Sequence, residues 1–378
     1  MKLNRQSYLN TKRDAWVEIN LDAIEHNILE LKKYAHDGAK ILAVVKADAY
    51  GHGSVMITPT LLASGVYMLG VASIDEAMQL RENKITAPIL VLGAAPVWAF
   101  DWAVENDICL SLFLQEHIDA CKITYEKTGI KPKVHIKLDT GMNRIGVSKE
   151  DAVPLIKKVQ QSDFIELKGI FTHFACAENL EKTKEQLKIW DYVLANVDTT
   201  GLLLHCANTA ALITFPQINY NMARAGIGIY GLQPDLIPDF DNPPKLIPAM
   251  SLRGRIVNIH NAHANSGVSY SHKYVTTKET KIATVPLGYA DGISRGLSGK
   301  ICGILHGKKV PQIGNITMDQ MMFDITGVDA DEGDVITLLG QDGDEFISVN
   351  EWADILNTIN YELICRLRVR LARVYTRE

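Results

Sequence analysis

The run ILAVVK at residues 41–46 is apolar at every position except the last, where it ends in a lysine. A short continuous apolar run marks a strand buried on both faces, since neither side of its pleat meets water. Seven more runs of this kind follow along the chain: VYMLGVA (66–72), PILVLG (88–93), ICLSLF (108–113), VHIKLD (134–139), LKGIFTHF (167–174), LLLHCAN (202–208) and RAGIGIYGL (224–232). Helix-like stretches separate them. Upstream of the first run, Leu21, Ile24, Ile28, Leu31 and Ala35 fall on one helical face, and Asp22 with Glu25 has capping-box spacing. Ser73 and Glu76 repeat that spacing after the second run. Buried strands alternating with amphipathic helices specify a parallel sheet. Eight strand–helix units over roughly 200 residues predict a (β/α)8 TIM barrel, in preference to a doubly wound open sheet.

The pattern changes after 233–248, QPDLIPDFDNPPKLIP, which holds five of the thirteen prolines. Such a cluster continues neither a helix nor a central strand. The expected division is therefore a barrel over 14–240 and a smaller, mainly-β domain over 241–378, with the strand near 14–20 packing on the latter. RGRIVNI, KIATVPLGYADG and DVITLLG read as its short strands. The closing run RLRVRLARVY alternates Arg366, Arg368 and Arg370 with Leu367, Val369 and Leu371, so it reads as a strand with a solvated basic face.

A hydrophobic fraction of 47% provides for a large core, and charged residues at 22% argue against disorder. The formal charge of 39 − 44 = −5 disfavours nucleic acid or an anionic membrane as partner. The polar N-terminus has no apolar signal core, and no apolar run is long enough to span a bilayer, so a cytoplasmic protein is expected. Six dispersed cysteines, with no C-x-x-C pair, read as buried thiols in a reducing compartment; Cys206 is given a packing role. No metal-ligand cluster is visible.

In a barrel the reactive groups lie at the carboxyl ends of the strands. The first run ends in Lys46, which by itself reads equally as a lysine snorkelling to solvent or as a desolvated, nucleophilic amine. The residues that follow complete AVVKADAYGHG (43–53), which closely resembles the cofactor-lysine motif of alanine racemases. The resemblance implies that Lys46 bonds covalently to pyridoxal 5'-phosphate (PLP) and that the Tyr50 hydroxyl helps hold its phosphate. Many family members have Asn where this chain has Asp48.

The other strand ends resemble the same family in order. HIKLDTGMNRIG (135–146) implies that Arg144 contacts the cofactor phenolate oxygen and the substrate carboxylate, positioned by Lys137, a lysine often carbamylated in the family. GIFTHFACAEN (169–179) implies His173 in the cofactor pocket. HCANTAA (205–211) implies Asn208 in the pocket and a phosphate contact from Thr209, which replaces the usual serine. NMARAGIGIYGL (221–232) implies Arg224 opposite the pyridine nitrogen and the Gly226 and Ile227 amides on the phosphate. Gly226, Gly228 and Gly231 also spell G-x-G-x-x-G, but this stretch runs into the proline-rich linker and does not open a βαβ helix, so a dinucleotide site is rejected.

The resemblance continues in the second domain, where GVSYSHKY (267–274) implies Tyr270 as the second catalytic base, with Ser271 in place of a usual glycine. LGYADG (287–292) implies Tyr289 at the substrate entrance, and GNITMDQMM (314–322) implies that the Met318 amide binds the substrate carboxylate, with Asp319 following. Val369 stands where some members have a phosphate-binding tyrosine. The resemblance thus implies a PLP-dependent racemase of a small amino acid, with Lys46 and Tyr270 serving opposite faces of the α-carbon. It also implies a homodimer in which Tyr270 serves the neighbouring subunit. An ordinary tyrosine has a pKa near ~10, so a base role needs nearby positive charge, for which His173 and Arg224 are the implied helpers. Serine is a second candidate substrate, and amino-acid decarboxylation is a second candidate reaction.

Overall fold

The computed structural model describes residues 13–215, 218, 220–234, 243–367 and 370–377. Arg368 and Val369 lie outside these, as does most of the proline-rich linker. The chain divides into two compact units. One comprises Ala23–Ala49 and Gly53–Ile247; the other takes the residues up to Asp22, Tyr50–His52 and everything from Pro248 onward.

The first strand, β1 (Ala15–Asn20), belongs to the second unit. The next eight build the first: β2 (Lys40–Val44), β3 (Met68–Val71), β4 (Ile89–Val91), β5 (Ile108–Leu112), β6 (Lys133–Lys137), β7 (Glu166–Phe171), β8 (Leu203–His205) and β9 (Met222–Ala225). All pair in parallel in the order β8-β7-β6-β5-β4-β3-β2-β9. The ring closes where the Arg224 N–H donates to Ala207 O at 3.0 Å, and where the Asn221 carboxamide takes Leu204 N–H at 2.7 Å and gives to Leu202 O at 2.8 Å. Seven of the strands coincide with the first seven apolar runs, whereas the eighth run, 224–232, overlaps β9 only at Arg224 and Ala225 and continues as a 3-10 turn over Ile227–Tyr230. Leu42, Leu69, Ile89, Ile136 and Ile170 are fully buried, as expected of strands covered on both faces.

The two predicted capping boxes fare differently. The Ser73 hydroxyl accepts Glu76 N–H and caps the helix Ile74–Glu82. At the other, the helix Leu21–Lys32 follows β1 without an intervening residue, which leaves Asp22 in the first turn. Its carboxylate pairs with Arg377 at 2.5 Å.

In the second unit, β1 lies between β10 (Met250–Arg255), antiparallel, and the last strand near Ala372–Thr376, parallel. The intervening strands are β11 (Asn258–Ala262), β12 (Gly267–Val268), β13 (Tyr274–Val275), β14 (Thr280–Val285), β15 (Cys302–Leu305), β16 (Lys308–Ile313), β17 (Met321–Asp324), β18 (Val335–Asp342) and β19 (Glu345–Ile347), with β20 (Ala372–Thr376) closing the series. β12 and β13 form a separate two-stranded ribbon; the rest make one ten-stranded sheet. This unit also carries two helices not expected from the sequence, Val349–Leu356 and Asn360–Arg366.

The second helix corrects the reading of RLRVRLARVY. Arg366 ends that helix and β20 starts only at Ala372, so the run is not one strand. Nor is Arg370 part of a merely solvated basic face. It pairs with Asp319 at 2.8 Å and with Asp291 at 3.1 Å. The Asp291 carboxylate is fully enclosed and also takes Arg13 and the Gly288 N–H. A buried carboxylate needs such partners, and that need fixes where Arg370 points.

Candidate active site

Lys46 lies two residues beyond β2 and is half-buried. The four residues after it, Ala47, Asp48, Ala49 and Tyr50, all have φ near +54°, one turn of left-handed backbone built without glycine. Each such residue costs about 1–2 kcal/mol, so local contacts must hold the turn. Asp48 Oδ1 accepts the Ser54 N–H at 2.8 Å, Asp48 O accepts the Gly53 N–H at 2.9 Å, and the Ala47 N–H donates to Glu76 at 2.7 Å. The motif then passes into the other unit. There Gly51 O accepts Arg373 Nε–H at 2.8 Å, and His52 O accepts the Tyr375 hydroxyl at 3.1 Å. A Cβ on Gly51 would stand 2.5 Å from Ile364 O, at a φ of +85°, so glycine is required there. Tyr50 is buried, its ring 6.0 Å from that of Tyr361.

Arg224 is the hub of the barrel's strand ends. It is 3% exposed. Nη1 donates to His205 O at 2.7 Å and meets His205 Nδ1 at 3.1 Å. Nη2 donates to Thr172 O at 2.7 Å and Cys206 O at 3.1 Å, and meets His173 Nδ1 at 3.2 Å. A guanidinium only donates, so both imidazoles must present a bare Nδ1 and carry their proton on Nε2. His205 Nε2–H then donates to His135 Nδ1 at 2.9 Å, which places the His135 proton on Nε2. That atom is buried and has no partner among the described residues. Burial pushes His135 down to about 3, helped by Lys168. Burial, then Arg224, lowers His205 well below its usual range. His173 is lowered likewise by desolvation and by Arg224, Arg144, Lys137 and Lys46.

Those cations define what the site accepts. Arg224 is brought down by burial to about 10 and stays charged at neutral pH. Lys137 is brought to about 7 by burial and by Arg224, and its Nζ donates to Leu138 O at 2.6 Å. That shift favours the neutral, nucleophilic amine. Arg144 is exposed on a loop whose ends Asp139 N→Val147 O and Val147 N→Lys137 O tie together at 2.9 Å each. Asp139 organises that loop by accepting the N–H groups of Gly141, Met142 and Asn143. Four cations acting together on His173 suit a ligand carrying several negative charges, as PLP with an amino-acid carboxylate does.

Thr209 and Gly226 meet directly. The Gly226 N–H donates to Thr209 Oγ1 at 2.8 Å, leaving the hydroxyl its own proton to give. Asn208 caps the helix Thr209–Thr214 by accepting the Ala211 N–H at 3.0 Å. Ile227 opens a 3-10 turn, Ile227–Tyr230, and the Tyr230 hydroxyl donates to Val44 O at 2.8 Å, at the end of β2. The G-x-G-x-x-G glycines therefore sit in a strand end and a 3-10 turn. Cys206 packs, as expected. Burial raises its thiol to about 12, and Sγ–H donates to Ile218 O.

In the β unit, the loops carrying Tyr270 and Tyr289 are each hydrogen-bonded to the segment 315–318, which contains Met318. Asn315 Nδ2 donates to Tyr270 O at 2.7 Å, and Ser269 Oγ donates to Asn315 O at 2.7 Å. Three residues on, Tyr289 N–H donates to Thr317 O at 2.9 Å and Ala290 N–H to Met318 O at 3.1 Å. All three side chains face out, Tyr270 at 72% exposure. Ser269 and Ser271 flank it at φ +62°, and at Ser271 a glycine would be the easier residue. Val369 lies outside the described residues.

Sequence reading passed over His135, His205 and Phe171. Phe171 stacks on the His205 ring at 4.9 Å and lies beneath Lys137 and Arg224, 5.5 and 5.6 Å from its ring centre. Their signal was present: each ends or alternates on a strand whose neighbour had already been chosen. No cluster of metal-binding side chains occurs among the described residues, and no helix among them is long and apolar enough to cross a membrane.

Comparison with known proteins gives one answer for both units. The family models "Alanine racemase, N-terminal domain" and "Alanine racemase, C-terminal domain" match residues 19–234 and 249–375. The alanine racemase of Methanococcus maripaludis is 40% identical over 368 residues, 95% of this chain and 98% of its own. The solved alanine racemase of Clostridium difficile 630 superposes with a TM-score of 0.92 at 37% identity, covering 97% of each chain. A histidine racemase from Leuconostoc mesenteroides subsp. sake also matches, with a TM-score of 0.90 at 31% identity, over 97% of this chain and 98% of its own.

Proposed function

The chain belongs to the alanine racemase family, and from that premise we propose that it is an isomerase interconverting L-alanine and D-alanine with PLP held by Lys46. When bound, PLP draws electrons from the substrate's α-carbon, so that its proton can leave. The chain's own residues then exchange that proton. Lys46 Nζ takes and returns it on the face of the D-isomer, and the Tyr270 phenol oxygen does so on the face of the L-isomer. Arg144 and the Met318 amide hold the substrate carboxylate, and Tyr289 lines its entrance. Tyr50, Thr209 and the Gly226 and Ile227 amides hold the phosphate, with Asn208 shaping that corner.

One observation supports this reading: Arg224, the residue the family resemblance assigns to the pyridine nitrogen, is a buried guanidinium held by main-chain carbonyls, where a decarboxylase would be expected to use a carboxylate. It does not give up its proton at working pH, so a pyridine nitrogen facing it stays unprotonated. That tempers the electron sink and favours returning the proton over side reactions. It also weighs against amino-acid decarboxylation. Of the two helpers implied by the sequence, Arg224 supplies the positive field that a tyrosine base requires, whereas His173 is neutral, its proton affinity lowered by burial and by the neighbouring cations. We place the enzyme in the cytoplasm, in keeping with six free cysteines, as a homodimer whose Tyr270 serves the neighbouring site. Its D-alanine would feed peptidoglycan. Serine is the second substrate to consider, because an apolar pocket rejects an added hydroxyl poorly.

The test is incubation with L-alanine in D2O, with L-serine in parallel. D-alanine should appear with deuterium at Cα, Tyr270→Phe should abolish this, and light scattering should find the active species dimeric. Protein that binds PLP but forms no D-alanine would overturn the substrate, and an active monomer would overturn the shared site.

A further inference from the structure

Glu76 was singled out in the sequence as half of a capping box, yet it does not close one. A capping box would return its carboxylate to the Ser73 N–H. Instead Oε2 accepts the Ala72 N–H at 2.7 Å and Oε1 accepts the Ala47 N–H at 2.7 Å. Ala72 follows β3 directly and Ala47 follows Lys46 directly. The main-chain ladder between β2 and β3 ends just before, with Val45 N–H donating to Gly70 O at 2.8 Å. One carboxylate thus takes over as the two strands part, at the first residue of the left-handed turn.

We propose that Glu76 is a positioning residue for the reaction: its carboxylate clamps the ends of β2 and β3 and holds the left-handed turn that aims Lys46. This rests on Lys46 being the cofactor lysine. Two N–H donors on opposite ends of one group need two acceptors, which a carboxylate has and a carboxamide lacks. Such bonds to a charged acceptor are among the stronger ones in a protein. The turn is strained, so without the clamp it relaxes, and only the fraction of molecules that retains it binds PLP well.

The test compares Glu76→Gln and Glu76→Asp with Ser73→Ala, which removes the helix cap and leaves Ala47 alone. In absorbance titrations of the cofactor-free proteins, Glu76→Gln should bind PLP at least about tenfold more weakly, the factor equal to ~1.4 kcal/mol. Its kcat should fall while its KM for alanine stays near the wild-type value. Ser73→Ala should melt earlier yet bind PLP as the wild type does. A folded Glu76→Gln with wild-type PLP affinity and kcat overturns the proposal. If that variant does not fold, Glu76→Asp, too short to reach both amides, decides by the same measure. Failure of the functional reading is seen separately, as wild-type protein in which borohydride fixes no PLP to Lys46. In that case hydrogen exchange still judges the clamp without cofactor: the Ala47 amide should exchange faster in the Glu76 variants, and equal protection would overturn it.

Discussion

At Arg224, one guanidinium meets three main-chain carbonyls and two imidazole nitrogens, with no carboxylate among its hydrogen-bond partners. Its charge is therefore offset by dipoles, and the direction of each dipole is fixed by a strand end. Arg224→Glu replaces a donor by an acceptor opposite three buried oxygens. The cofactor-free variant should lose more than about 3 kcal/mol in urea unfolding, because buried acceptors are left unsatisfied and a buried charge is left unpaired. A wild-type midpoint would mean that the guanidinium is not held in this way. Lys46, Arg144, His173 and Arg224 are picked out of the sequence by family resemblance: only Lys46 ends its apolar run, and by itself it reads equally as a snorkelling lysine. The His205–His135 relay and the Glu76 clamp are not legible, since they depend on atoms that meet across strands 70 and 29 residues apart.

The eight barrel strands are legible for a plain reason: burial on both faces removes polar positions, so each reads as an unbroken apolar block. The helices Val349–Leu356 and Asn360–Arg366 are only eight and seven residues long, too short for a 3.6 period to stand out. Alternation in RLRVRLARVY mimics a strand although the run begins at a helix end, Arg366, and reaches β20 only at Ala372. Packing between strands is tight in places that sequence does not reveal. On β7, a Cβ at Gly169 would lie 2.4 Å from Leu203 O and 2.6 Å from His135 Nδ1. Neither can retreat, since one is main chain on β8 and the other is bonded to His205. Gly169→Ala should therefore cost about 1–3 kcal/mol or more, read as a lowered urea midpoint with an unchanged slope. An unchanged midpoint would show that β7 and β8 can part without loss.

For the molecule as a whole, His135 and His205 tie stability to pH. Both are fully buried and have lowered affinities for protons. Their unfolded forms bind protons below about pH 6.5, while the folded forms do not, so the unfolded state gains as pH falls. Stability is thus fully present above pH 6.5 and is lost as pH drops toward about 3, where His135 would be protonated in the folded chain. From pH 7 to pH 5 stability should fall, with protons taken up on unfolding beyond those of the carboxylates. Calorimetry in buffers of differing ionisation enthalpy counts them, and an uptake no greater than the carboxylates explain would place the pair in contact with water.

The position of β1 has a consequence in time. Trp16 and Val17 are buried between β10 and β20, yet the chain meets those partners only after the whole barrel has been made. At typical rates of synthesis of about 5–20 residues per second, roughly 350 residues separate β1 from β20 by about 20–70 s. Until β10 has been made the strand has both edges open, and the edge that β20 fills stays open through the whole interval. The β unit therefore completes its sheet only when the last residues of the chain are available, however early its first strand was made.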